Sequence, residues 1–324
     1  MKINLLNKDY TVIDTKEKIT IADSFVLRQN KIGGGNGEAK LYVGNENDET
    51  RSFFGITGFR IKCFLLKSDL QKYLDETRVE YLRPEQPYIN KEILPNLWRE
   101  RKEKVDALPN MIEFEVNEQT QIAGPRIYVK STNPGYKLIR ELSLPNITYI
   151  SIVQLRTATG GDTYYFRLFA DYFGDVEHPY TLKKQEEEIQ AIESETEKAQ
   201  INRSRIGQGK YREELLKLCP LCPITLITDE RLLIASHIKP WAISNSQEKT
   251  DPLNGFMLTP TFDRLFDRGF LSFTNDKKTI LSPFLSKMTY SKLGISDNKI
   301  INHLPIEGRE EYLNFHRTEI LKGR

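Results

Sequence analysis

Short β-like runs, several of them alternating apolar and polar residues, fill the first half of the chain: Lys18–Ile21, Phe25–Leu27, Ala39–Val43, Gly58–Leu65, Met111–Val116, Arg126–Val129 and Thr148–Val153. A period of two puts successive side chains on opposite faces, as in a half-buried strand. Leu155–Thr157 and Thr163–Phe169 flank Gly160-Gly161-Asp162, and glycine tolerates the positive φ of a tight turn, so this pair predicts a hairpin. Longer helical windows fall at about 66–84 and 88–105. Residues 1–180 therefore predict an α+β domain dominated by sheet. From Lys183 to Ala199 the pattern changes: Glu186, Glu187, Glu188, Glu193, Glu195 and Glu197 alternate with Ile189, Ala191 and Ile192 and no structure breaker. The spacing predicts a charged helical linker over 181–202, too acidic to lie on phosphates. A second domain then spans 203–324.

Composition narrows the class. At 324 residues there is chain enough for two ordinary domains, and 39% hydrophobic with 28% charged residues describes a soluble globular protein. No apolar run reaches membrane-spanning length, and Asn7, Lys8 and Asp9 interrupt the N-terminus before a signal peptide could form. Cys63, Cys219 and Cys222 are too few for a disulfide scaffold, so a cytoplasmic setting is expected. Lys and Arg number 47 against 45 Asp and Glu, a net charge of +2; any nucleic-acid contact must use a locally basic face.

Candidate chemistry concentrates in the second domain. Leu233–Trp241 reads as a short strand ending in His237; Asn254 follows 17 residues after the histidine, and Asp263 nine after that. Around them, in order, stand Arg205–Arg212, Cys222–Thr225, Asp251–Gly255, Asp263–Gly269 and Tyr312–Arg317. This order resembles the HNH endonuclease family with its ββα-metal fold, in the branch fused to recognition domains in bacterial restriction endonucleases. The resemblance covers roughly 203–320 and does not reach the N-terminal half.

Hydrolysing a phosphodiester needs a base for the attacking water, a cation against the charge growing on the phosphate, and help for the departing oxygen. His237 can be that base, because an imidazole accepts a proton near neutral pH. Asp263 and Asp267 are spaced i, i+4, so on a helix they share a face and suit a hard cation, Mg²⁺ or Mn²⁺. The resemblance implies that Asp263 is the last metal ligand of the family, that Asp267 stands where some members place another, and that Asn254 orients the histidine through hydrogen bonds. It also places Ser236 where many members carry an aspartate or histidine ligand; serine is a weaker donor. Lys239, Arg264 and Arg268 put cations beside the histidine and the carboxylates, to clamp phosphates or to pair with Asp263 and Asp267. Arg205, Gln208, Lys210 and Arg212 match the family's backbone-contacting pattern. A single Cys219-x-x-Cys222 pair without a second does not support a structural Zn²⁺.

In the N-terminal domain, Ile32–Gly37 lacks a phosphate-loop arrangement and reads as a mobile connector. Trp98–Lys104 gathers base-contacting residue types on a helix, interleaved with Glu100 and Glu103. The expected activity is that of a sequence-specific, divalent-metal-dependent DNA endonuclease, type II restriction-like, with residues 1–180 reading and 203–324 cutting. Two other readings stay open: a modification-dependent enzyme holding a flipped methylated base among Tyr164, Tyr165, Phe166 and Phe169, and a DNA-binding protein with an inactive nuclease fold, which Ser236 favours. Double-stranded DNA is the expected partner. A palindromic site implies a homodimer, and a restriction system implies a cognate DNA methyltransferase.

Overall fold

The strand Thr148–Thr157 shows how this sequence builds its larger sheet. Its first eight residues, Thr-Tyr-Ile-Ser-Ile-Val-Gln-Leu, are all buried. A strand covered on both faces loses its alternation and fills with β-branched and aromatic side chains. The computed structural model describes residues 1–119, 124–170 and 209–323. The chain forms two compact units, one of residues 1–173 with 284–287, the other of 174–283 with 288–324. The linker helix expected over 181–202 lies outside the described residues.

The first unit is an α+β body. Its strands are β1 (Lys2–Leu5), β2 (Lys8–Thr20), β3 (Leu41–Asn45), β4 (Arg60–Leu66), β5 (Met111–Gln119), β6 (Arg126–Lys130), β7 (Thr148–Thr157) and β8 (Asp162–Ala170). They form one eight-stranded sheet in the order β1-β2-β7-β8-β4-β5-β6-β3. The expected hairpin is β7 and β8, paired antiparallel from Thr148↔Ala170 to Arg156↔Asp162. Only β4 and β8 run parallel among these pairings. Helices α1 (Asp48–Phe54), α2 (Lys67–Glu76), α3 (Arg78–Leu82), α4 (Leu94–Asp106) and α5 (Pro134–Leu142) accompany the sheet. The two helical windows of the sequence thus break at Thr77 and begin late at Leu94.

Helix α4 buries Leu94, Leu97, Arg101 and Val105, a stripe at helical spacing. Arg101 is its unexpected member. Its guanidinium donates to Tyr81 Oη and Asn30 Oδ1, both at 2.7 Å. Asn30, also fully buried, donates in turn to the carbonyls of Glu141 and Ser143. A buried guanidinium is tolerable only with such partners.

Three expectations for this unit change. Tyr164, Tyr165, Phe166 and Phe169 are core, with Tyr165 stacked on Phe64 at 5.1 Å, and do not line an open pocket. On α4, Trp98 donates to the Leu74 carbonyl, Lys102 pairs with Asp75 and Lys104 pairs with Glu141, so three of its base-contacting types are engaged within the unit. The glycine loop is tied down at its start, where the backbone amides of Ile32 and Gly33 donate to the Asp23 carboxylate.

The second unit contains helix α6, described over 209–218, β9 (Ile234–His237), β10 (Gly255–Leu258), α7 (Pro260–Asp267), β11 (Leu271–Phe273), β12 (Thr279–Leu281) and α8 (Glu310–Phe315). Its core gathers Phe256, Phe266 and Phe273, all fully buried, with Phe266 stacked on Phe273 and edge-on to Phe256. No described helix is long and apolar enough to cross a membrane.

Replacing Arg101 by alanine removes the guanidinium and strands Asn30 Oδ1 in the core, while Tyr81 Oη keeps its bond to the Leu142 carbonyl. The expected loss is about 3 kcal/mol of unfolding free energy for this unit, read from urea denaturation. A wild-type midpoint would show that the network contributes nothing.

Candidate active site

Strands β9 and β10 form an antiparallel pair with Gly255 opposite His237 and Phe256 opposite Ser236. Helix α7 starts one residue after Thr259, its N-cap, with Pro260 in the first turn, where a missing N–H costs nothing. The result is a small ββα unit. Because side chains alternate along a strand, His237 and Ser236 lie on opposite faces.

The 16 residues between His237 and Asn254 are shaped by one amide. Asn254, with no exposed surface, accepts from the Lys239 backbone N–H at 2.8 Å through Oδ1, and donates through Nδ2 to the carbonyls of Lys239 at 3.2 Å and Glu248 at 3.0 Å. Its own carbonyl accepts from the Ile238 amide. Holding Glu248 fixes the next residue, and the Lys249 carbonyl lies 3.1 Å from His237 Nε2. Asn245 caps the turn by accepting from the Gln247 and Glu248 amides.

The half-buried imidazole is further confined by rings. Tyr211 of α6 stacks on it at 4.1 Å and 15°, and Trp241 meets it edge-on at 5.6 Å. Burial holds His237 below its ordinary pKa, with the Lys249 carbonyl pulling the other way. Tyr211 donates to the Asn254 carbonyl at 3.0 Å, and burial raises its phenol, so it stays a donor.

The remaining sequence-predicted residues are placed as follows. Asp263 is half-buried in the first turn of α7, and Asp267, its last residue, is exposed. Ser236 is buried, and its Oγ has no hydrogen-bond partner. Lys239 spans both carboxylate oxygens of Glu248 at 2.7 Å and lies over the Phe315 ring, so its charge is engaged within the unit. Arg212 donates to the carbonyls of Leu233 and Glu230, holding the approach to β9. Lys210 is exposed and 3.8 Å from Glu214. Arg264 and Arg268 are half-buried along α7 and its end. Arg205 and Gln208 lie outside the described residues.

Sequence reasoning missed Tyr211, Trp241, the Lys249 carbonyl and Arg309. Tyr211, Leu215 and Cys219 recur at helical spacing and form the buried face of α6 and its C-terminal end, a pattern visible in the sequence. Arg309, buried, donates to the Gly255 carbonyl at 3.0 Å and lies over Phe256. Nothing local marks it.

The family model described as HNH endonuclease matches residues 222–274, which contain β9, the Asn254 turn, β10 and α7. The chain carries an HNH endonuclease domain. No curated protein matches the chain. HNH nucleases act on nucleic acid with a divalent metal ion. Among the described residues no three His, Cys, Asp or Glu side chains come together as a metal cage. A magnesium-type ion does not need one, since it keeps several waters and takes one or two protein oxygens. The covered, unpartnered Ser236 Oγ, on the strand against which α7 packs, fits such an oxygen-poor site. Cys219 and Cys222 are buried free thiols; Cys219 Sγ reaches the Leu221 carbonyl, Cys222 Sγ reaches Thr259 Oγ1, and burial pushes the Cys219 thiol up.

The second unit also holds a buried histidine, His316, stacked on Phe266 at 3.9 Å, with contacts to Ser272 Oγ and the Phe266 carbonyl. Burial pushes its pKa down from 6.5 to about 4. Between those values the unfolded chain takes up a proton that the native ring refuses. Stability is therefore full above pH 6.5 and falls as the pH drops towards 4, by up to roughly 3 kcal/mol. Melting temperatures at pH 7.5 and 5.0 should differ less for His316→Gln than for the wild type. Equal differences would exclude this origin.

Replacing Asn254 by alanine should release the 239–249 loop. We expect at least a hundredfold loss of nuclease activity, with a stability cost of about 2 kcal/mol, measured by plasmid cleavage and thermal melting.

Proposed function

We propose that this protein is a sequence-specific, divalent-metal-dependent DNA endonuclease of restriction type, with His237 as general base. One observation carries the reading: His237 Nε2 faces the Lys249 carbonyl at 3.1 Å. A carbonyl only accepts, so Nε2 holds the proton and the lone pair is left on Nδ1. With its pKa below the ordinary value, the ring is neutral at pH 7 and ready to take a proton. Water then attacks phosphorus while Nδ1 removes its proton, the new O–P bond forms, and the bond to the departing 3′ oxygen breaks. Asp263, with Asp267 and Ser236, would hold Mg²⁺ or Mn²⁺, which would supply positive charge against the phosphate and the departing oxygen. Lys210, Arg264 and Arg268, with Arg205 and Gln208, are the proposed phosphate contacts. Lys239 and Arg212 shape the loop instead.

The reading role falls to the first unit. It carries a cleft of about 690 Å³ lined in part by Lys40, Arg126, Tyr42 and Tyr128, where Arg126 lies over the Tyr42 ring at 6.0 Å and Lys40 pairs with the exposed Glu38 carboxylate at 3.1 Å, a cation beside ring faces of the kind that holds nucleic acid. A palindromic site would be met by a homodimer, protected in the host by a methyltransferase. The buried free thiols accord with a cytoplasmic enzyme.

Plasmid DNA with Mg²⁺ or Mn²⁺ tests the proposal. Discrete fragments are expected from the wild type, and His237→Ala should cut about a thousandfold more slowly. No cutting with either ion would establish the inactive DNA-binding reading, which the serine at 236 favours. Fragments from methylated DNA alone would establish modification dependence. The double variant Lys40→Gln, Arg126→Gln should weaken DNA binding and lower the slope of log affinity against log salt by up to about 2.

A further inference from the structure

We infer that Tyr211 is a positioning residue for the nuclease reaction, fixing the plane of the His237 imidazole and coupling it to Asn254. The inference rests on the reading of His237 as the base. A single hydrogen bond from Nε2 to the Lys249 carbonyl sets where one ring atom lies, and still lets the ring turn about that contact. A near-parallel aromatic face at 4.1 Å and 15° removes that freedom, and the Trp241 edge closes a second direction. The direction of Nδ1, and so of the proton it accepts, is thereby defined.

The hydroxyl does a different task. It donates to the Asn254 carbonyl at 3.0 Å, the same oxygen that accepts from the Ile238 amide. Tyr211 thus grips the residue whose side chain shapes the 239–249 loop, and the ring and the carbonyl that confine His237 move as one body. The fold makes room for it. Gly255 lies opposite His237, and a Cβ there would stand 2.0 Å from the Tyr211 hydroxyl and 3.0 Å from Leu215 Cδ2. A side chain at 255 would push the tyrosine off the imidazole. Leu215, one turn further along α6, and Cys219, just past its end, are buried on the same side and leave the helix one seating. This residue touches neither DNA nor metal in the proposed mechanism; it acts through His237.

Full-length Tyr211→Phe and Tyr211→Leu separate the two tasks. The carbon-bound imidazole protons of His237 should be shifted upfield in NMR spectra by the stacked ring, in the wild type and in Phe, and should lose that shift in Leu. On duplex DNA with Mg²⁺, kcat should fall about a hundredfold for Leu and about fivefold for Phe, with KM unchanged. A merely structural tyrosine would lower the melting temperature without this split. Should Leu fail to fold, Phe decides: wild-type kcat in Phe overturns the role of the hydroxyl, and loss of the upfield shift in Phe overturns the stack. Wild-type kcat in a folded Leu variant, with His237→Ala inactive, overturns the inference alone. Wild-type cutting by His237→Ala overturns the base and the positioning role together.

Discussion

The active site depends on the buried side-chain amide of Asn254. It sits where a loop leaves β9 and returns to β10, and a loop of that length would otherwise have many conformations of similar energy. Its acceptor and both donor positions are spent on the backbone of Lys239 and Glu248. A hydrophobic residue of the same size could fill the space and could not hold these groups; an aspartate would lack the donors. The carbonyl of Lys249 faces His237 because its neighbour is held. The setting of the His237 ring is thus fixed through the neighbour of the carbonyl it faces, by an amide that does not itself touch the imidazole.

The first unit uses the same device for a different end. Asn30, also fully buried, accepts from Arg101 and donates to two carbonyls at the C-terminal end of α5, those of Glu141 in its last turn and Ser143 just after it. In both units an asparagine side chain substitutes for a missing stretch of regular hydrogen bonding. A half-satisfied amide in such a place would cost more than an apolar residue, so each network is worth having only when complete. This explains why Arg101 lies in the core although its charge would ordinarily keep it at the surface.

What the sequence made legible follows from how each group is held. His237, Asn254 and Asp263 fall on the two strands and the helix of one local ββα unit, so their spacing along the chain carries their arrangement. Tyr211 and Arg309 reach the same site from distant helical segments, and no spacing encodes that meeting. The β7–β8 hairpin was readable because its turn residues and alternation agree, whereas the burial of β7 on both faces comes from helices and neighbouring strands elsewhere. Charge was the least legible property. In the sequence Lys239 looks like a phosphate contact and Lys102 and Lys104 like base contacts, and each is engaged by a carboxylate that folding brings near. The aromatic run Tyr164–Phe169 looks like a base pocket, and its alternation instead sends successive rings into the two sides of the sheet.

Ser236 changes how the remaining parts must share the work. A carboxylate there would bring a full negative charge to the cation and bind it in the absence of substrate. At the proposed metal site a neutral hydroxyl would leave Asp263 as the half-buried charge on α7 and would make the substrate phosphate a larger fraction of the ion's ligands. Cation and DNA would then bind cooperatively, each supplying what the other lacks. In the proposed mechanism such an arrangement would keep an uncommitted nuclease domain short of its metal until nucleic acid arrives, and would place the greater demand on the proposed base, which must be neutral and correctly aimed before the ion is bound. The confinement of His237 by Tyr211, Trp241 and the Lys249 carbonyl meets that demand with protein groups alone.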